Sequence, residues 1–202
     1  LVYFLDAGQL FSPTISGWSN NVKVGRGTSR GVEFLYEKDG ERLDLHAAYT
    51  LSKTDRQFDM VNNNLPFPAK FDRRHILNVS ASYVLSDDDR RLISLTGLYA
   101  LQSGHWETVA AGEYPVFSIT GEESTFDYFS GVNNYEMPTY VRLDIGCNFT
   151  FRTRHEQSLN IGVYNVLNRH NPMSFIYDDK TRTWRKVSLF PIMPSFSYRI
   201  EL

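Results

Sequence analysis

Apolar and polar residues alternate along most of this chain. The clearest run spans residues 140–152, where Val141, Leu143, Ile145, Cys147, Phe149 and Phe151 interleave with Arg142, Asp144, Gly146, Asn148 and Thr150. A period of two marks a strand with two unlike faces. A helix would set Arg142 and Asp144 among the apolar residues. The pattern recurs over residues 32–36, 43–51, 77–85, 93–101 and 159–163, and again in Phe196, Tyr198, Ile200 and Leu202. No window carries a helical period. The expectation is an all-β, antiparallel fold of about seven strands, several about ten residues long. Strands of soluble proteins usually run about 5–6 residues, whereas a tilted strand crossing a bilayer needs about 9–11.

The connections alternate in length. Asp39-Gly40 is a tight hairpin signal, and the links at 86–90 and 153–156 are also short. Between them lie long links at 54–71, 104–139 and 169–186. One rim of tight turns and one of large loops is the asymmetry of outer-membrane barrels.

Composition narrows the classes. The 202 residues carry 21 basic and 23 acidic side chains, a net charge of -2, so nothing favours nucleic acid as a partner. The single cysteine excludes a disulfide framework and a cysteine zinc site. No apolar run is long enough for a spanning helix, which says nothing about a membrane barrel built of alternating strands. The polar face carries mid-strand charges, and aromatics gather towards strand ends, as at Tyr36, Tyr83 and Phe151. Both features suit a barrel with its apolar face to lipid and a polar lumen. Asp44, His46, Asn78, Arg142, Asp144 and Asn148 are therefore expected to face the lumen. The chain opens on Leu1, with an apolar run to Leu5 that lacks the features of a signal peptide. Either a signal has been removed or the chain is a piece of something longer, and the odd count of about seven strands suggests that residues 1–202 are the C-terminal part of a larger barrel.

Several stretches resemble the TonB-dependent outer-membrane receptors, particularly those of Bacteroidetes type, in the order in which that family has them. They are Gly25-Arg-Gly-Thr-Ser-Arg-Gly-Val-Glu-Phe34, Tyr49-Thr-Leu-Ser-Lys-Thr-Asp55 and Phe71-Asp-Arg-Arg-His-Ile-Leu-Asn78. Tyr140-Val-Arg-Leu-Asp-Ile145, Ile161-Gly-Val-Tyr-Asn-Val-Leu-Asn168 and Phe190-Pro-Ile-Met-Pro-Ser-Phe-Ser-Tyr198 complete the series. The closing Leu202 departs from the family's usual terminal Phe. The resemblance implies about seven C-terminal strands of a plugged, transmembrane barrel of about 22. It implies active import of a large, scarce solute: a ferric siderophore, cobalamin or a glycan. Implied partners are outer-membrane lipid, the plug domain and remaining strands, TonB through the plug, and the barrel-assembly machinery through the last strand. A surface lipoprotein over the loops fits the same picture. The alternative is a complete small outer-membrane barrel acting as a passive pore or a structural or adhesion protein.

No catalytic constellation is apparent, and no enzyme activity, metal or cofactor is expected. His105-Trp-Glu107 and His155-Glu156 lack metal-site spacing. Arg142 and Asp144, two apart on one face, suit a lumen ion pair, His75 a hydrogen bond at the rim, and Cys147 a buried, inert thiol. Binding chemistry is expected in the loops, where rigid rings offer contact area at small entropic cost. The candidates are His105, Trp106, Tyr114, Phe117, Tyr128, Phe129, Tyr135, Tyr177 and Trp184. Tyr177 and Trp184 flank a polar tip and suggest a projecting hairpin, and Asn62-Asn-Asn64 suggests a flexible turn.

Overall fold

The computed structural model describes residues 2–5, 22–117, 123–153, 155–178, 181 and 183–201. Their strands are β1 (Val2–Leu5), β2 (Val22–Lys38), β3 (Leu43–Phe58), β4 (Phe67–Pro68), β5 (His75–Asp87) and β6 (Arg91–Gln102). They continue with β7 (Trp106–Glu107), β8 (Gly112–Phe117), β9 (Glu123–Tyr128), β10 (Tyr135–Glu136) and β11 (Tyr140–Phe151). The last are β12 (Gln157–Tyr164), β13 (Pro172–Asp178), β14 (Thr183–Ser188) and β15 (Met193–Ile200). Among the described residues there is no α-helix, only a 3-10 turn at Asn62–Asn64.

One sheet runs in the order β1-β2-β3-β5-β6-β11-β12-β15, with β4 pairing β3. Successive long strands are neighbours, as a meander requires. The strands outrun their alternating segments. Residues 22–30, Gly-rich in sequence, prolong β2, and β3 continues to Phe58. The chain divides into two compact units: residues 1–31, 52–73 and 105–137 form one, and 32–51, 74–104 and 138–202 the other.

In the second unit the register lines up the polar positions. Asp44 faces Ser82, Ser82 faces Thr96, and Thr96 faces Gly146, which pairs with Gly162. The opposite face presents exposed large apolar side chains, among them Leu95, Ile161 and Phe196. Cys147 lies on this apolar face but is only half-buried. The expectation of a buried thiol is corrected: the face it sits on is left largely uncovered by the described residues. Its Cα partner Leu95 is itself exposed.

The short turns are fixed by charged and polar side chains. Asp88 Oδ1 accepts from the backbone N–H groups of Arg90 and Arg91 at 3.1 and 3.0 Å. Those bonds, the one from Arg90 foremost, hold its carboxyl below the usual carboxylate range. Arg152 pairs with Asp87 at 2.7 Å and donates to the Asp88 carbonyl at 2.8 Å.

The long links are built differently. In the first unit Phe58, Val61 and Phe67 are buried together, with Val132 against them. Phe58 lies over Gly25, where any Cβ would fall 2.2 Å from its ring. Asn62 accepts from the Val132 N–H at 2.7 Å and donates to its carbonyl at 2.9 Å. Asn62, Asn63 and Asn64 all have positive φ, a region that asparagine tolerates better than most residues. The triplet is thus a pinned turn rather than the flexible one expected. Asn134 grips both backbone groups of Val109 at 2.8 Å, and Asn133 donates to the Pro68 carbonyl at 2.8 Å.

The second unit uses the same device in its own long link. Asn171, buried, grips both backbone groups of Val141 at 2.9 and 2.8 Å. Asn165, 0% exposed, donates to the carbonyls of Arg169 and Phe190 and accepts from the Arg169 N–H. The resemblance motif around Asn165 and Asn168 thus has a physical purpose. Both residues take positive φ at the end of β12, and Asn168 accepts from the Ile192 N–H.

Candidate functional site

The polar face of the second unit forms a trough of about 740 Å³, lined in part by Asp44, His46, Ser80, Ser82, Thr96, Asp144, Gly146, Asn160, Gly162 and Ser195. Its floor is made of small residues. A Cβ at Gly146 would lie 2.8 Å from Thr96 Oγ1, and one at Gly162 would lie 2.8 Å from Ser195 Oγ.

Three of the six residues expected to face a lumen, Asp44, His46 and Asp144, line this trough. The other three share its face by register: Asn78 opposite Ala48, Arg142 opposite Ala100, and Asn148 opposite Ser94. Their chemistry is mostly satisfied within the protein. His46 lies 3.7 Å from Glu37 and 3.8 Å from Asp39. Asn148 is hydrogen-bonded to Asn160 across the β11–β12 ladder.

Arg142 is the most elaborated group. Its Nε is 3.0 Å from Asp144 Oδ2, and its guanidinium lies 4.8 Å over the Tyr164 ring. Nη1 donates to the Tyr140 hydroxyl at 3.1 Å and reaches that of Tyr164 at 3.4 Å. The Nε–H itself makes no aligned hydrogen bond, so its contact with Asp144 is an electrostatic one. Asp144 in turn accepts from the Asn165 N–H at 2.9 Å. The pair therefore anchors the turn after β12. Tyr49 and His75, bonded at 2.8 Å, do similar work between β3 and β5 on the opposite face.

The loop candidates separate into groups. His105, Trp106 and Tyr135 sit on or beside the two-stranded β7–β10 ribbon, where Trp106 pairs with Glu136 and Tyr135 with Glu107. Glu107 joins them electrostatically, 3.2 Å from His105 and 3.3 Å from Lys70. The His105 side chain is only 14% exposed, so its ring serves the ribbon's packing. Tyr114 and Tyr128 meet edge to face at 5.7 Å on the β8–β9 hairpin. Phe126 stands opposite Tyr114 on this hairpin and is exposed, as is Phe129 just beyond it. Alternation puts Tyr114, Phe126 and Tyr128 on one face of the ribbon, and Glu113 and Asp127 on the other. In the second unit β13 and β14 form a hairpin in which Tyr177 pairs with Trp184. The side chains of Phe117 and Tyr177 lie outside the described residues. The alternation singled out neither Asn134 nor Asn171, because isolated asparagines in long links carry no period. Their signal is the tendency of asparagine to replace backbone partners in irregular chain.

Comparison with known proteins decides between a membrane barrel and other sheets. The family described as TonB dependent receptor-like, beta-barrel, matches residues 4–166. The chain belongs to that family. TonB-dependent receptors reside in the bacterial outer membrane and are transporters rather than enzymes. The matched stretch runs from β1 to the turn after β12, so β13, β14 and β15 lie beyond it. No curated protein and no solved structure matches the chain.

Proposed function

We propose that the chain forms barrel wall and cargo-contacting loops of a receptor importing a large, scarce solute such as a ferric siderophore, cobalamin or a glycan. The observation carrying this reading is the family match, which makes TonB-dependent transport the general activity. In this reading residues 1–202 are the C-terminal part of a barrel of about 22 strands. The plug lies against the trough, facing Asp44, His46, Asn78, Arg142, Asp144 and Asn148, and its small-residue floor allows close approach. TonB acts through that plug. The barrel-assembly machinery takes β15, and a surface lipoprotein partner covers the loops.

The cargo contacts follow from exposure. Tyr114, Tyr128 and Phe129 present rings on the β8–β9 side, while His105, Trp106 and Tyr135 shape the adjoining ribbon. Trp184 offers a further ring on β14, and Phe117 and Tyr177 belong to the same cargo-contacting set. Ring faces accept flat or C–H-rich surfaces at small entropic cost. Uptake by cells bearing the full receptor, with TonB present or deleted, tests the reading. Solute entry is expected to collapse without TonB. Entry that persists unchanged would leave a passive pore in its place. Replacing Tyr114 and Tyr128 by Ala is expected to weaken cargo binding about tenfold or more, on the scale of two lost aromatic anchors.

A further inference from the structure

The β8–β9 hairpin has two unlike faces and one open edge. Among the described residues its strands pair only with each other. Ala111 donates its N–H to the Tyr128 carbonyl at 2.7 Å, so Tyr128 turns its backbone groups towards β8. Backbone direction alternates along a strand, so Phe126 does the same, and Thr125 and Asp127 turn theirs away from β8. Those groups form the outer edge of β9. The outer edge of β8 is blunted, because Pro115 faces outwards like its partner Thr125 and has no N–H to offer. An edge that keeps its donors is a template for another strand.

The two faces say what that strand carries. Tyr114, Phe126 and Tyr128 are exposed on one of them. Glu113 and Asp127 stand opposite each other on the other, in the closer kind of cross-strand pair, where like charges repel. Residues 104–139 carry six acidic side chains and neither Lys nor Arg, and their one histidine, His105, lies against Glu107. The link therefore has no cation of its own with which to neutralise the pair.

We propose that an extended peptide cargo with alternating basic and apolar side chains binds as a third strand along the outer edge of β9. A Lys or Arg opposite Asp127 then lies on the acidic face beside Glu113, and its two neighbours lie on the ring face opposite Phe126 and Tyr128. Main-chain hydrogen bonds supply affinity, and the alternation supplies selectivity. The inference rests on the import reading and names a peptide as the solute carried. The same charges disfavour a polyanion, and a neutral glycan gains nothing from the open edge.

The test uses the full receptor in nanodiscs and the fluorescence anisotropy of a labelled heptapeptide alternating Val and Lys. A peptide of the same composition with its lysines in one block, and an alternating Val and Glu peptide, are the comparisons. The alternating basic peptide is expected to bind about tenfold more tightly than the block peptide, and the acidic one to bind least. Thr125→Pro removes one outward N–H and none of the hairpin's own bonds, and is expected to weaken binding about tenfold. Asp127→Asn is expected to weaken it about threefold, an effect that salt removes. Equal binding of the block peptide overturns the proposal by reducing it to charge attraction, and so does unchanged binding to the Thr125→Pro variant. Should that variant misassemble, the three peptides on the unaltered receptor still decide. Peptide uptake is then followed in cells with and without TonB. Binding without uptake overturns the assignment as cargo. Uptake indifferent to TonB counts against the import reading instead. Absence of peptide binding beside TonB-dependent entry of another solute sinks the peptide and keeps the import reading.

Discussion

The short turns and the long links solve the same problem with different chemistry. Each must satisfy backbone groups that have left the ladder. The short turns use ions at the surface, namely Asp88 on two N–H groups and Arg152 on Asp87. The long links use neutral amides, of which Asn165 and Asn171 are buried, and Asn62, Asn134 and Asn171 each grip a donor and an acceptor of one residue. Exposed ions are screened and cheap to lose. A buried amide partner leaves unsatisfied groups behind when it is removed. The long links should therefore be the brittle part of the molecule, despite their irregular shape.

The largest effect is expected at Asn165. Asn165→Ala strands the Arg169 N–H and the carbonyls of Arg169 and Phe190, and should cost about 3 kcal/mol, read as earlier loss of heat-modifiable gel mobility. A variant as stable as the parent would place the strength of the long links elsewhere. Next comes Asn62→Ala, which frees the turn beneath Val132. About 1–2 kcal/mol of local stability should go, seen as roughly tenfold faster proteolysis within residues 104–139. Arg152→Ala removes an exposed ion pair and should shift unfolding by less than about 1 kcal/mol.

The smallest effect is the pH response of the β5–β6 turn. Asp88 has a depressed pKa when folded, so its contribution is present above the unfolded value of 3.8 and fades as pH falls through the folded one. Amide chemical shifts of Arg90 and Arg91 should report that loss. A midpoint above the ordinary aspartate range would break the comparison at its charged end.

Much of the wall was legible in the sequence because a two-faced strand writes its faces into the chain. The run 140–152 gave β11 almost to the residue, and the polar tip between Tyr177 and Trp184 marked the β13–β14 hairpin. The Gly-rich stretch before Val32 could be read as prolonging the first strand, as β2 shows, but the upper part of β3 was read as the start of a long link. There neither face is uniformly apolar, since Arg26, Arg30 and Lys53 replace the greasy positions and glycines fill the other side of β2. The β8–β9 hairpin was hidden for a related reason. Its alternation joins rings to acids over only six residues a strand, inside a link whose composition reads as loop. The Asn62 turn was misread because the residue type that favours irregular backbone also supplies the amide that pins it.

The length of β2 has one more consequence. Its 17 residues extend over about 56 Å at 3.3 Å each, well beyond a hydrocarbon layer of about 30 Å. One strand is thus clothed in lipid along part of its course and in water along the rest. Its amide hydrogens should carry two clocks, exchanging slowly between Val32 and Tyr36 and faster towards Val24, so that deuterium uptake along a single strand draws the edge of the membrane.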